Sequence, residues 1–210
     1  MLLTNLLPSQ HHDMVAHTLL SANFPYYYAA NIHTGQLTDR YDADPTANGF
    51  FHRFYDNQEQ VSNSLPLVLP YLYALCDRSN LRLDALLRVR AFLSLPTGNT
   101  HNGFPHIDIP NLSEYKTALV YVAGNDGDTI LYREQYQHGE MLPDPSSLTE
   151  ECRVTPIPNS GLVFDGYQFH TGLLPVTSKV RLVLNYNFTV NAEPDVFVSP
   201  ATEVAEPLPE

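Results

Sequence analysis

The side chains alternate from Leu87 onward. Leu87, Val89, Ala91, Leu93 and Leu95 form one apolar series, and Arg88, Arg90, Phe92 and Ser94 fall between them. A period of two predicts a half-buried strand. The same period returns at residues 180–190, where Leu182, Leu184, Tyr186 and Phe188 share one face and Arg181, Val183, Asn185 and Asn187 the other. Shorter strands are expected at 117–122, at 129–132 as its hairpin partner across the Gly124–Asp128 turn, around Val154 and at 162–164. Turns are signalled at 96–99, at 158–161 and at Asp165-Gly166.

Upstream the period is helical. Met14, Val15, Thr18 and Leu19 predict a helix over residues 8–22, ended by Pro25, and residues 65–76 predict a second. Phe50 to Tyr55 reads as a strand, and the polar stretch between Ile32 and Gly49 as a loop. Residues 133–153 are polar, contain two prolines and are long for a hairpin connection, which makes them a candidate lid. Many short strands preceded by helices indicate a mainly β protein with flanking helices, a double-stranded β-helix or jelly roll. Residues 1–190 are expected as one domain, with 1–86 as N-terminal support and 87–190 as the β-helix core. Residues 191–210 hold four prolines and five acids without periodicity and are expected to be a disordered tail.

Composition narrows the partners. The chain has 2 Lys and 9 Arg against 23 acids, a formal charge of −12, which disfavours nucleic acid and anionic membranes. There is no apolar run near the roughly 18–20 residues needed to cross a bilayer and no signal-peptide pattern, so a soluble cytoplasmic protein is expected. Cys76 and Cys152 are far apart and are read as buried free thiols.

The chemistry concentrates in His106-Ile107-Asp108, His170 and Arg181. Two imidazoles and a carboxylate can occupy one face of a ferrous ion and leave adjacent positions open. The short motif alone decides nothing, because 9 His and 13 Asp in 210 residues yield about half a His-x-Asp match by chance. A second match does occur at His11-His12-Asp13, but on a stretch of helical period, where positions i and i+2 point apart. Arg181 follows His170 by eleven residues, on a strand whose same-face neighbours Asn185 and Asn187 are polar. An arginine pointing into a small barrel needs an anion, and a planar guanidinium suits a carboxylate.

The segment from Leu87 to Phe188 resembles the catalytic core of the 2-oxoglutarate/Fe(II) oxygenases, nearest to prolyl-hydroxylase-like members. The resemblance rests on Phe104-Pro105-His106-Ile107-Asp108, on Ala118 to Val122 followed by Gly127-Asp128-Thr129, on Leu162 to Gly166 leading to His170-Thr171-Gly172, and on Arg181 to Asn185. The N-terminal Asn23 to Tyr28 and Phe54-Tyr55-Asp56 are similar to uncharacterised phage and marine bacterial members. The resemblance implies His106, Asp108 and His170 as ligands of Fe(II), Arg181 as the clamp for 2-oxoglutarate, and dioxygen as the third reactant. It also gives Tyr121 two readings, a contact to the co-substrate or a core tyrosine. Where relatives carry a tyrosine on the preceding strand this chain has Leu93 and Leu95, so Arg88 or Arg90 is expected to finish the pocket.

The implied reaction is hydroxylation of a peptide side chain or small metabolite with release of succinate and carbon dioxide. Two alternatives stay open: a zinc hydrolase using the same His, Asp and His, and a non-catalytic jelly-roll binding or structural module.

Overall fold

The computed structural model describes residues 1–29, 49–96, 104–112, 114–137 and 143–191. In chain order these form β1 (Leu3–Thr4), α1 (Ser9–Leu19), β2 (Tyr27–Ala29), β3 (Gly49–Asp56), β4 (Glu59–Gln60) and α2 (Leu65–Arg78). Seven strands follow: β5 (Leu83–Ser94), β6 (Lys116–Ala123), β7 (Thr129–Gln135), β8 (Glu150–Val154), β9 (Ser160–Asp165), β10 (Gln168–Gly172) and β11 (Arg181–Val190). The expected loop at 32–49, most of the turn at 96–99 and the tail from 192 lie outside the described residues.

The strands make two sheets, antiparallel at each pairing. The larger runs β1-β9-β6-β11-β5-β3-β2, with β4 paired to β3, and the smaller runs β10-β7-β8. The alternation along β11 explains why they stack. Its Leu182, Leu184, Tyr186 and Phe188 join Ala118, Val120 and Val122 of β6 in a core closed by Val15 and Leu19 of α1 and Val68, Leu72 and Leu75 of α2. Its Val183 joins Leu119, Tyr121, Leu162, Phe164 and Leu131 in a second cluster beneath the small sheet. A strand buried on both faces must be sorted by side-chain type, because a slip of one residue would exchange the two sets. The molecule is therefore a jelly roll of two sheets with helices on the outer face of the larger one. Among the described residues, no helix is long and apolar enough to cross a membrane.

Several expectations change. The buried stripe of α1 is His12, Val15 and Leu19, whereas Met14 is 51% exposed. The second His-x-Asp match is thus on a helix, with His12 Nδ1 at 2.6 Å from the Tyr71 hydroxyl. β7 is not the hairpin partner of β6. The Gly124–Asp128 turn carries the chain across to the small sheet, where β7 pairs β10 and β8. Alternation cannot reveal this, since two strands of one period can share a sheet or face each other across a core. The span 133–153 is consequently not one long loop: it contains the end of β7, a short 3-10 turn at Pro145–Ser147 and most of β8, while 138–142 lies outside the described residues. The expected lid has no described backbone at its centre. Cys76 is buried, but Cys152 on β8 is exposed. Before residue 87, β1, β2 and β3 extend the large sheet.

Two core histidines carry a pH signature. His52 Nδ1 donates to the Pro25 carbonyl at 2.7 Å, which leaves Nε2 to accept from the Ser62 hydroxyl at 2.9 Å, so the ring is neutral. Burial lowers the pKa of both His12 and His52 below 6.5. Below about pH 6.5 the unfolded chain takes up protons that the folded protein refuses, so stability falls as pH drops through that window. Urea midpoints measured from pH 7.5 to 5 should decline steadily, and His52→Gln should flatten the slope; a midpoint constant across this range would contradict the assignment.

Candidate active site

The first constraint at the site is a backbone one. His106 forms an isolated antiparallel bridge to His170 of β10, each amide donating to the other's carbonyl at 2.9 and 3.0 Å. Residues opposed in such a bridge present side chains on one side, and the two imidazole centroids are 4.5 Å apart. The segment after His106 is pinned by Tyr115, whose hydroxyl accepts from the Ile109 amide at 2.8 Å and donates to the Gly166 carbonyl at 2.7 Å. A Cβ at position 166 would sit 2.3 Å from the Tyr115 ring, so glycine is required in the turn that aims β10 at the site.

His106 Nδ1 lies 3.0 Å from the Phe104 carbonyl, and His170 Nδ1 lies 3.2 Å from the Gln168 carbonyl. A carbonyl only accepts, so each Nδ1 carries the proton and each Nε2 offers a lone pair, the arrangement that orients histidine ligands. Asp108 joins them. The donor atoms of His106, Asp108 and His170 lie within 4.8 Å of one another.

The Asp108 carboxylate is almost wholly buried and closely held. Oδ1 pairs with Arg88 Nη2 at 2.9 Å. Oδ2 accepts from Asn187 Nδ2 at 2.8 Å, Asn185 Nδ2 at 3.0 Å and Thr117 Oγ1 at 3.3 Å. Arg88 is itself fixed, its Nε donating to Asn187 Oδ1 at 2.9 Å. Burial alone would push this carboxyl's pKa up; Arg88, the two imidazoles and Asn185 outweigh it and hold the group well below the usual range. His170 is pushed down to about 4 by burial, with His106 adding to the effect and Asp108 opposing it. At neutral pH the cluster thus offers one carboxylate and a neutral His170, a nitrogen and oxygen donor set that suits divalent iron or zinc.

Arg181 begins β11 at the other end of the small-sheet cluster. Its guanidinium is buried, with Nε donating to the Gly127 carbonyl at 2.6 Å and Nη2 to Thr129 Oγ1 at 3.1 Å. Tyr121 donates its hydroxyl to the same Thr129 oxygen at 2.7 Å, and the Arg181 Cζ stands 5.9 Å from the Tyr121 ring centroid. Thr129 therefore accepts twice, which frees its own proton for a further acceptor. Burial lowers the Arg181 pKa, but a guanidinium starts so far above neutral pH that it stays charged. Among the described residues no carboxylate lies within ion-pair distance of it. Gly172 keeps the guanidinium accessible, since a Cβ there would lie 3.3 Å from Nη1 and Nη2.

The structure thus brings His106, Asp108 and His170 together, and places Tyr121 beside Arg181. It does not bring Arg88 or Arg90 to that pocket. Arg88 is committed to Asp108, and Arg90 lies 3.3 Å from Asp56. Sequence reasoning missed Thr117 and Thr129 as site residues and misplaced Arg88. The polar Asn185 and Asn187 on an otherwise buried strand were the available signal.

No sequence-family model matches the chain, and no curated protein sequence does. Solved structures match in fold. SnoN, an α-ketoglutarate-dependent epimerase from nogalamycin biosynthesis, aligns over 100% of this chain and 88% of its own, with TM-score 0.59 and 14% identity. A 2OG-Fe(II) oxygenase family protein from Burkholderia pseudomallei gives 90% and 84%, TM-score 0.56 and 12% identity. A Pseudomonas putida prolyl-4-hydroxylase gives 90% and 91%, TM-score 0.53 and 14% identity. The chain has the double-stranded β-helix fold of 2-oxoglutarate/Fe(II) oxygenases, as the jelly-roll expectation required.

Arg88→Met keeps the stem that packs the site but removes the charge on Asp108. Loss of such a supporting partner should weaken divalent metal binding by about 10- to 100-fold. Competition for Mn(II) against a chelating dye measures it, and an unchanged affinity would show that Asp108 needs no help from Arg88.

Proposed function

We propose that the protein is an Fe(II)- and 2-oxoglutarate-dependent dioxygenase that hydroxylates its substrate, with residues 1–190 as the catalytic unit. In this reading His106, Asp108 and His170 ligate iron. Arg181, aided by Thr129 and Tyr121, receives the distal carboxylate of 2-oxoglutarate. Iron with bound 2-oxoglutarate supplies the activation of dioxygen, coupled to release of succinate and carbon dioxide. The protein's own part is to hold donors and charges in place. The similar solved structures are named for different reactions, so hydroxylation is the reading favoured by the resemblance to prolyl-hydroxylase-like enzymes.

The observation that carries the proposal is the buried Arg181 guanidinium, which has no acid within ion-pair distance among the described residues and lies on the same side of the small sheet as the metal ligands. A buried unpaired charge is costly unless a ligand neutralises it. Gly172, which borders the guanidinium, is two residues beyond His170 on β10, about 7 Å along a strand. That is the reach of a five-carbon dicarboxylate with its other end on the ion. A zinc hydrolase has no use for this cation. The Asp108 cradle supports the same reading, because it keeps one negative charge among the donors and offsets half of a divalent ion.

Arg181→Ala should weaken 2-oxoglutarate binding by roughly 10- to 1000-fold, since a shielded charge-assisted pair contributes a few kcal/mol and each 1.4 kcal/mol is tenfold. Ferrous affinity should hold, and Arg181→Lys should recover part of the loss. His106→Ala should instead lose ferrous binding and all turnover. Titration of air-free, iron-loaded protein with 2-oxoglutarate, followed by its visible absorption band, reads each constant. An unchanged constant in Arg181→Ala removes the assignment, and zinc in protein purified without air would favour the hydrolase.

A further inference from the structure

The face of the large sheet that carries Asn185 and Asn187 continues across β5 and β3. Arg88 stands opposite Asn187, Arg90 opposite Asn185, and Arg53 opposite Arg90. Phe92 lies between Val183 and Phe51 in the same way. Three arginines thus meet on one surface of a chain with 11 basic and 23 acidic residues. Like charges placed directly opposite destabilise an antiparallel pair, so the arrangement needs a compensating anion.

Among the described residues the acids within reach are too few. Asp108 takes Arg88 at 2.9 Å, and Arg53 and Arg90 share Asp56 at 3.4 and 3.3 Å. If iron, Asp108, Arg181 and a doubly charged 2-oxoglutarate are counted together, that group is neutral. With Asp108 already counted there, the three arginines are balanced among the described residues by Asp56, an excess of two positive charges.

Two polar atoms at the same place lack partners. Arg90 Nε and Asn185 Oδ1 are closed to solvent and have no hydrogen-bond partner among the described residues. Asn185 is only 4% exposed, and its Nδ2 is spent on Asp108, so its oxygen remains as an acceptor beside a metal-ligand candidate. Such orphans in a native interior call for an explanation. Moving outward, the Arg53 side chain is 55% exposed and its Cζ sits 6.0 Å from the Phe51 ring centroid. Tyr27 lies beside Phe51, with ring centroids 6.4 Å apart. From the metal ligands outward the surface runs from acceptor and donor to cation and then aromatic.

We infer that this surface is the substrate site and that it selects an oxyanion, a carboxylate or phosphate held by Arg90 and Arg53. A hydrogen-bond donor on the same molecule meets Asn185 Oδ1, and an apolar body rests on Phe51 and Phe92. The inference rests on the oxygenase reading for what happens to the bound molecule, whereas the anion site stands on the arginines themselves.

N-Benzoylglycine carries a carboxylate, an amide N–H and an aromatic ring in one small probe. Its neutral methyl ester removes the charge, and phenyl phosphate replaces the carboxylate with a phosphate. Calorimetric titration of air-free, iron-loaded protein saturated with 2-oxoglutarate, which occupies Arg181, compares the three. N-Benzoylglycine or phenyl phosphate should bind at least 10-fold more tightly than the ester, and the stronger of the two identifies the anion. Arg53→Gln and Arg90→Gln should each weaken that ligand about 10-fold or more while 2-oxoglutarate affinity stays constant. Arg181→Ala, titrated without 2-oxoglutarate, should still bind the probe. Arg90→Gln leaves Asp56 short of a partner and can fail to fold, but Arg53→Gln changes a half-exposed side chain and keeps the test decisive. Equal binding of the ester, or wild-type binding in Arg53→Gln, overturns the inference. Arginine-dependent probe binding in a protein that ignores 2-oxoglutarate would sustain the anion site and remove the oxygenase reading.

Discussion

Strand β11 has to satisfy two incompatible environments at once, and the rest of the molecule is arranged around that demand. Its even-numbered side chains from Leu182 to Phe188 enter a dry core under two helices. Its odd-numbered positions hold Arg181, Asn185 and Asn187, all buried and all hydrogen-bonded on the opposite face. A one-residue slip would place a guanidinium and two amides among leucines, so the register of the central sheet is fixed by polarity as much as by shape. The helices are needed because one face is apolar. The small sheet is needed because the other face is charged and must be kept from bulk water.

The two buried charges on that second face are handled differently. Asp108 is surrounded by donors from β5, β6 and β11, so the metal-ligand candidate is held in its charged form by the scaffold itself. Among the described residues Arg181 receives neutral acceptors only, from Gly127 and Thr129. Among the described residues one charge meets a countercharge and the other does not. That asymmetry is the electrostatic basis for reading one end of the site as a metal cradle and the other as an anion receptor.

Much of this was legible in the sequence where a rule of period applied. The two faces of β11 and the alternation of β5 follow from a repeat of two, and the second His-x-Asp match was set aside because a repeat of 3.6 separates its side chains. Pairing partners were not legible in the same way. β7 has the pattern of a strand, but nothing in Thr129 to Tyr132 says whether it returns beside β6 or crosses to a second sheet. β10 was missed because Gln168 to Gly172 contains a histidine that turns inward to the site, which breaks the apolar alternation of a buried strand. The role of Arg88 was hidden for a related reason. Its partner Asp108 is 20 residues away, on a segment without regular structure, and only the closed sheet brings them to 2.9 Å. Met14 belongs to the helical period yet is exposed, because His12, bonded to Tyr71, joins Val15 and Leu19 in the buried stripe.

The clasp between His106 and His170 has a consequence for how an ion would enter. Both imidazoles are set by two main-chain hydrogen bonds and by carbonyls behind each ring, so the closed backbone itself directs their convergence. In small zinc-dependent domains the ligands assemble around the ion, and chelation dissolves the fold. Here the pocket is preorganised. An ion held there would be an exchangeable guest, and its removal by a chelator would leave the scaffold standing.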